Sequence, residues 1–398
     1  MPAFAAAFFL AAVSFAPAFA AAVPGPQGPD ISVTTTSFLA CPMVAMGANG
    51  DFEVVWNHYY SDSHPIPQGI FARHFDRLGR PTQAKEIRLD LPDTTDASLT
   101  RVVALPGAGY FVSWYEYRPL HGASMAGRFL NAAGRATSPI LVLAHNAFSA
   151  ALAVVDDSLI VAWEENGSPG SFRARRYDFE GHALGKAMLL TTHAGPGILD
   201  LAPLSDGFVA AWHRLAAGSW IIAAQRFSLA GEPLGSVLRV NESRLGSPFR
   251  VIRVASDGKD RFAVAWTATV EGLDPQSGQL VTDDETRVRL FDASGASGPE
   301  MRPNQLSTGN QQTWGLAMDG RGVALVTWSS DRNYVASSVD VAGRFLGPEG
   351  QPASKAFPLA QNLAGTDFCP AAATNGGGAW VIAWLKQNEG IFARRLEF

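Results

Sequence analysis

Short apolar runs that end in tryptophan recur along the chain and share one alternating pattern. In GDFEVVW, the side chains of Phe52, Val54 and Trp56 fall on one face of a strand, because successive side chains point to opposite faces. RFAVAW repeats the pattern with Phe262 and Trp266, and the residues between them are also apolar. A strand that is apolar on both faces is buried on both. The pattern therefore predicts strands packed between two neighbouring layers.

The run occurs seven times, at intervals of 49 to 62 residues. Its last residues are Trp56, Trp114, Trp163, Trp212, Trp266, Trp328 and Trp384. An arginine–aromatic run such as GIFARHFDRLGRP follows each tryptophan, and in most units a short run such as EIRLD comes next. Units of about fifty residues with four strand-like runs predict propeller blades. The predicted fold class is all-β, a seven-bladed β-propeller with four-stranded blades over residues 31–398.

The two ends of the chain complement each other. The seventh unit stops at Phe398 after its third strand, and Ile31–Thr34 supplies a strand at the other end. This N-terminal strand is predicted to complete the last blade and close the ring. Cys41 and Cys369 each lie 15 residues before the tryptophan of their unit, and each precedes a proline. A disulfide between blades one and seven is predicted, with two free buried thiols as the alternative.

The N-terminal residues differ in character from the repeats. Residues 1–20 are almost wholly apolar and end in a small-residue cleavage pattern, which predicts a signal peptide followed by a linker at 21–30. The expected location is therefore secreted or periplasmic, with no membrane span. The net charge of −5, without a basic run, gives no electrostatic footprint for nucleic acid.

The blade pattern GDFEVVW…GIFARHFDRLGRP…EIRLD resembles the repeat of secreted bacterial β-propeller proteins whose function is poorly defined. The resemblance covers roughly residues 31–398 and implies the fold. It implies no catalytic residue, because a fold does not determine a function.

Residues that recur in every unit are interpreted as scaffold, since one ring needs only one active centre. The seven tryptophans are predicted to be core. The recurring arginines are expected between blades, paired with carboxylates or carbonyl groups. They are Arg73, Arg128, Arg175, Arg226, Arg289, Arg344 and Arg394.

The non-repeating segments after each tryptophan are expected to gather on one face, opposite the short turns. We call this the loop-rich face. Its predicted ligand-binding residues are His58, Tyr60, Tyr115, Tyr117, Arg118, His121, Glu164, His213, Arg214, Asp331 and Arg332.

Two functions are compatible with such a face. The sequence favours a non-catalytic binding or scaffold protein that recognises a glycan or a protein, because no paired-carboxylate or nucleophile motif appears. The alternative is a polysaccharide lyase or hydrolase that uses tyrosine, histidine and arginine side chains of the same face. The histidine spacing matches no metal-ligand pattern, so neither a metal nor a cofactor is predicted.

Overall fold

The computed structural model describes residues 25–36, 39–59, 68–94, 96–107, 109–165, 170–194, 199–242, 251–273, 280–292, 294–295, 297–304, 309–331, 339–362 and 365–397. The predicted signal peptide and residues 21–24 of the predicted linker lie outside these residues. Within them there is no helix, and hence none long and apolar enough to cross a membrane. Seven antiparallel sheets form the ring of a seven-bladed β-propeller, which confirms the predicted fold class.

Each blade begins at the central axis with an inner strand. The seven inner strands are Met43–Met46, Asp96–Ala104, Ala147–Val155, Leu199–Leu204, Ile252–Ser256, Gln311–Met318 and Asp367–Thr374. The second strands are Phe52–His58, Gly109–Arg118, Ser158–Glu165, Gly207–Ala216, Phe262–Leu273, Ala324–Ser330 and Ala379–Lys386.

The third strands are Gly69–Phe75, Gly122–Asn131, Gly170–Tyr177, Ser219–Ser228, Leu280–Phe291, Asp340–Leu346 and Gly390–Glu397. The outer strands of five blades are Ile87–Arg88, Leu141–His145, Met188–Ala194, Pro233–Arg239 and Phe357–Pro358. Blade five has a single bridge between Val288 and Met301 in place of an outer strand.

Blade seven takes its outer strand from the other end of the chain. Ile31–Thr34 pairs antiparallel with the third strand of that blade, and Gly25–Pro26 extends the pairing. Apolar side chains of blades one and seven pack together in one cluster that includes Val33. A disulfide joins Cys41 and Cys369, with 5.3 Å between their Cα atoms. The predicted closure and disulfide are both confirmed.

The repeated tryptophans and arginines hold the blades together. All seven tryptophans of the series are buried, as predicted. Four of the recurring arginines donate to carbonyl groups of the preceding blade, for example Arg73 to that of Val33 at 2.6 Å and Arg344 to that of Pro303 at 3.0 Å. Arg226 pairs with Asp206 of its own blade at 2.9 Å. Arg394 instead forms an ion pair of 2.8 Å with Asp30. A hydrogen bond from a charged group contributes about 1.5–3 kcal/mol, so these four arginines help to hold their blades against the preceding ones.

The hairpins between third and outer strands end in a recurring turn. Asp76 accepts hydrogen bonds from the backbone amides of Leu78 and Arg80, each at 2.9 Å. Gly79 takes a φ of 79°, a left-handed conformation that favours glycine. These turns are short and alike. We call the face of the ring on which they lie the short-turn face.

On the other face, three of the predicted loops are extensions of the strands. The second strands of blades two and four continue to Arg118 and Ala216, and that of blade five continues to Leu273. The varied residues of blades two and four therefore lie on paired hairpins, whose backbone hydrogen bonds position them more firmly than a loop would.

Candidate functional site: the central channel

The inner strands surround a central cavity of about 410 Å³. This volume lies within the range of about 300–1,000 Å³ that is usual for ligand sites. Most of its lining is apolar, with alanine, valine, leucine and methionine side chains from all seven blades. Three charged residues interrupt that lining.

The three charged residues occupy equivalent places in their blades. In every blade, one inner-strand residue pairs with the residue that precedes the repeated tryptophan. We call these seven positions the channel ring: Met43, Arg101, Ala151, Asp200, Arg253, Gly315 and Ala371. All of them except Ala151 line the cavity. The charged members belong to blades two, four and five.

The side chains of Arg101, Asp200 and Arg253 are half-buried in the channel wall. Burial lowers the pKa of Arg101, and burial together with the charge of Arg101 lowers the pKa of Arg253 to about 10. Burial raises the pKa of Asp200, while Arg253 and Arg101 oppose that rise. The three groups therefore act on one another across the channel, although the structure records no ion pair between them.

An aromatic side chain borders the charged group. Trp314 lies at a bulge in the inner strand of blade six, where the register shifts between Thr313 and Gly315. Trp314 is half-buried and is one of the residues that line the cavity, and its indole N–H donates to Ser329 at 2.8 Å. Arg253 donates from Nε to the carbonyl of Trp314 at 2.9 Å. This tryptophan is outside the repeated series, so the scaffold does not require it.

Further aromatic groups lie at the loop-rich end of blades two and three. The ring of Tyr115 stacks on that of Phe148, with centroids 5.5 Å apart. Tyr117 is 43% exposed, and His121 is exposed at the hairpin tip. Arg118 forms an ion pair of 3.0 Å with Asp93. The predicted residues of blade two therefore form one polar and aromatic edge.

Two predicted histidines lie beneath the surface. His58 is only 2% exposed, and its ring stacks on Phe71 with centroids 4.1 Å apart. His213 is only 1% exposed. Burial lowers the pKa of each to about 4, with Arg88 adding to the effect at His58. Both rings are therefore neutral at pH 7 and support the packing beneath the face.

The remaining predicted residues are dispersed. Glu164 is half-buried at the end of the second strand of blade three. Arg214 lines a groove between the outer strands of blades three and four, away from the channel. Asp331 accepts two hydrogen bonds from Asn310, at 2.8 and 3.0 Å. Tyr60 and Arg332 lie outside the described residues.

Sequence reasoning missed a buried acidic group in blades six and seven. Asp367 and Asp340 are wholly buried. Burial raises the pKa of Asp367 to about 7, the charge of Lys386 opposes the rise, and the charges of Asp340 and Glu389 add to it. Neither carboxylate oxygen of Asp367 has a hydrogen-bond partner among the described residues. Such a carboxyl group holds its proton near neutral pH.

A possible set of metal ligands lies on the opposite face. Asp178, Glu180 and His182 have ligand atoms within 4.8 Å of one another. Asp178 already accepts hydrogen bonds from the backbone amides of Glu180 and His182, which forms the recurring turn. The group is mostly exposed and is explained by its turn, so it does not alter the prediction that no metal is required.

Comparison with known proteins supports the fold and no more. No protein-family profile matches the chain, and no curated protein matches its sequence. The alpha-L-arabinofuranosidase Arb93A from Fusarium graminearum, solved with an iminosugar inhibitor, is similar in structure. The match has 9% identity and a TM-score of 0.52, and it covers 94% of this chain and 98% of that one.

A second similar structure is the β-propeller domain of the Trilobed protease from Pyrococcus furiosus. It has 11% identity and a TM-score of 0.51, with coverage of 90% of this chain and 97% of that one. That domain has an open velcro topology, whereas Ile31–Thr34 closes the ring here. At these identities the likeness defines the class alone: the chain is a seven-bladed β-propeller.

Proposed function

We propose that this propeller is an extracytoplasmic, non-catalytic binding protein that takes a glycan into its central channel from the loop-rich face. The observation that carries the proposal is the channel ring, whose seven equivalent positions hold unlike residues. A scaffold would tolerate the same small apolar residue at all seven. Ligand sites are mostly apolar cavities with a few convergent polar groups, and this channel has that composition.

A glycan suits the channel better than a protein partner. Protein partners usually bury about 800 Å² per side on broad surfaces, whereas the polar groups here lie inside a narrow cavity. Trp314 offers an apolar ring face beside hydrogen-bonding groups, and sugars present both kinds of surface. A protein partner would instead contact the exposed edge of blade two, where Tyr117 and Leu120 are exposed.

The extracytoplasmic location is supported by the disulfide. Disulfides persist in oxidising compartments and are rare in the cytosol. The bond between Cys41 and Cys369 spans 328 residues of chain. The apolar N-terminal residues provide an independent reason to expect export.

The proposal is tested by glycan-array binding followed by titration of the best glycan. Trp314→Ala is expected to weaken binding at least about tenfold, and Trp314→Phe less, because the phenyl ring keeps part of the stacking surface. Leu78→Ala, at an exposed position on the short-turn face, is the matched control and should bind normally.

The response of Tyr117→Ala separates the two kinds of partner. Tyr117→Ala should leave binding within about threefold if the ligand occupies the channel, and should abolish binding if a protein docks on blade two. Equal losses in Trp314→Ala and Leu78→Ala, at unchanged melting temperature, would contradict the channel proposal.

A second candidate function is cleavage of polysaccharides by a hydrolase or lyase. It is favoured by the pair Asp340 and Asp367, since a carboxyl group with a raised pKa beside another carboxylate is the usual equipment of glycoside hydrolysis. Both groups are wholly buried, which favours the binding proposal. A depolymerisation screen decides between them: product from the wild-type protein, lost in both Asp367→Asn and Asp340→Asn, would establish the enzyme.

A further inference from the structure

We propose that Arg101 and Arg253 form a site for one anionic group, so that the ligand of the channel is an acidic glycan bearing a carboxylate or a sulfate. That the ligand is a glycan rests on the proposed function, whereas the anion site is inferred from the channel alone. The two arginines occupy equivalent channel-ring positions in blades two and five and line the same cavity.

The charge of this group is unbalanced. Two guanidinium groups and the single carboxylate of Asp200 leave a net charge of +1 in the channel wall. Asp200 accepts a hydrogen bond from the backbone amide of Val254 at 2.8 Å and contacts neither guanidinium group. One further negative charge between the arginines would neutralise the group.

Hydrogen bonds to backbone carbonyl groups position the two guanidinium groups but use only some of their N–H donors. Arg253 uses two donors on backbone carbonyl groups, those of Trp314 at 2.9 Å and Ile252 at 3.1 Å. Arg101 donates to the carbonyl of Thr100 at 3.0 Å, and its buried Nε has no partner. An arginine has five N–H donors in a rigid fork. Most of them therefore remain for an oxyanion, which such forks bind by paired hydrogen bonds.

The surroundings strengthen the attraction. The half-buried channel wall screens charge less than bulk water does, so both repulsion and attraction are larger there. Burial lowers the pKa of both arginines, and the charge of Arg101 lowers the pKa of Arg253 further. Both remain protonated near pH 7, and a bound anion would relieve their mutual repulsion.

The shape of the cavity indicates what carries the anion. Trp314 borders Arg253, and below the channel ring the lining continues with apolar side chains such as Val103 and Val254. A sugar ring that bears an acidic group would place its anion at the arginines and its apolar face against the indole. A free inorganic anion would leave that apolar surface unused.

The experiment uses three sugars that share one ring: D-galacturonate, D-galactose 6-sulfate and D-galactose. Binding to the full-length mature protein is measured by calorimetry and by the rise in melting temperature, which reports any ligand that binds only the folded state. At least one acidic sugar is expected to bind and D-galactose to bind at least about tenfold more weakly. Galacturonate and the sulfate ester distinguish a carboxylate ligand from a sulfate ligand.

Variants then locate the anion. Arg101→Gln and Arg253→Gln are expected to weaken binding of the acidic sugar about tenfold to hundredfold, the range for hydrogen bonds to charged groups. Asp200→Asn should strengthen it about threefold to tenfold, because it removes the internal competitor and keeps an oxygen for Val254. Arg135→Gln, on the exposed short-turn face, is the control. If Arg101→Gln fails to fold, Arg101→Lys replaces it, with an intermediate loss expected.

The outcomes separate this inference from the proposed function. Equal affinity for the three sugars, no binding of any of them, or unchanged affinity in both arginine variants overturns the anion site. If glycans on the array still bind under those results, and Trp314→Ala weakens that binding, the proposed function stands without the anion site. Conversely, an acidic monosaccharide that binds through Arg101 and Arg253, with no glycan bound on the array, keeps the anion site and overturns the proposed function.

Discussion

Two sets of seven equivalent positions run around this propeller, one on the second strands and one on the inner strands. The first consists of the repeated tryptophans, all alike and all buried between blades. The second is the channel ring, whose members pair with the residues that precede those tryptophans and belong to five different residue types. The same backbone geometry thus carries one ring that is uniform and one that is varied.

The contrast shows how a repeat protein separates its scaffold from its site. Every blade has the same gap to fill against its neighbour, so the same large side chain suits all seven places. The channel-ring positions have no such repeated demand, because six of them line the cavity rather than fill a gap of fixed shape between blades. Charged residues such as Arg101 and Asp200 are costly in a wall that is otherwise apolar, which makes them candidates for function.

The largest loss of stability is expected when the disulfide that links the first and last blades is removed. Replacing Cys41 and Cys369 with serine removes a link across 328 residues, for which chain entropy gives about 5 kcal/mol of stability. Urea unfolding of the double variant should show a loss of that order. A loss below about 1 kcal/mol would mean that Ile31–Thr34 and its packing close the ring unaided.

A smaller loss is expected within the tryptophan ring. Trp266→Ala should lower the free energy of unfolding by about 3–5 kcal/mol, because it leaves a cavity between blades four and five. Ligand affinity, measured where the variant is folded, should stay within about threefold of wild type. Unchanged stability combined with lost binding would show that the uniform ring is itself the ligand platform.

The smallest effect depends on pH and concerns Asp367, an inner-strand residue at the loop-rich end. Its pKa is about 7 in the folded protein and near the ordinary value of 3.8 when unfolded. The folded state therefore holds the proton more tightly, and the stability this contributes is full below pH 3.8 and lost as pH rises through 7. The loss amounts to about 4 kcal/mol at most.

Asp367→Asn does not titrate and serves as the reference. The stability of the wild-type protein relative to Asp367→Asn should fall between pH 4.5 and pH 7.5, as followed by denaturant unfolding at several pH values. Parallel curves for the two proteins would mean that Asp367 keeps an ordinary pKa.

Much of the scaffold could be predicted because the sequence pattern of a blade occurs seven times. The spacing of Trp56 and its equivalents set the number of blades, and the matched offsets of Cys41 and Cys369 predicted their bond. The ligand-binding residues stay a prediction. Tyr115 and Tyr117 do lie on the loop-rich face, but His58 and His213 are buried beneath it, because the second strands extend past the tryptophan and include both histidines.

The channel ring left a signal that was present in the sequence. Its members lie 12 or 13 residues before the tryptophan of their unit, and Arg101, Asp200 and Arg253 are charged residues at the start of otherwise apolar runs. The variation in that offset comes from turns of different length. Without the observed pairing, the three residues cannot be placed in one ring.

What the sequence alone determined is the part of the protein set by local periodicity: strands, blade number, closure and the disulfide. These follow from alternation of apolar residues and from repetition, which act over a few residues and recur. The tertiary structure alone decided which side chains meet at the axis. Arg101 and Arg253 are 152 residues apart in sequence, and only the curvature of the closed ring brings their charges into one cavity.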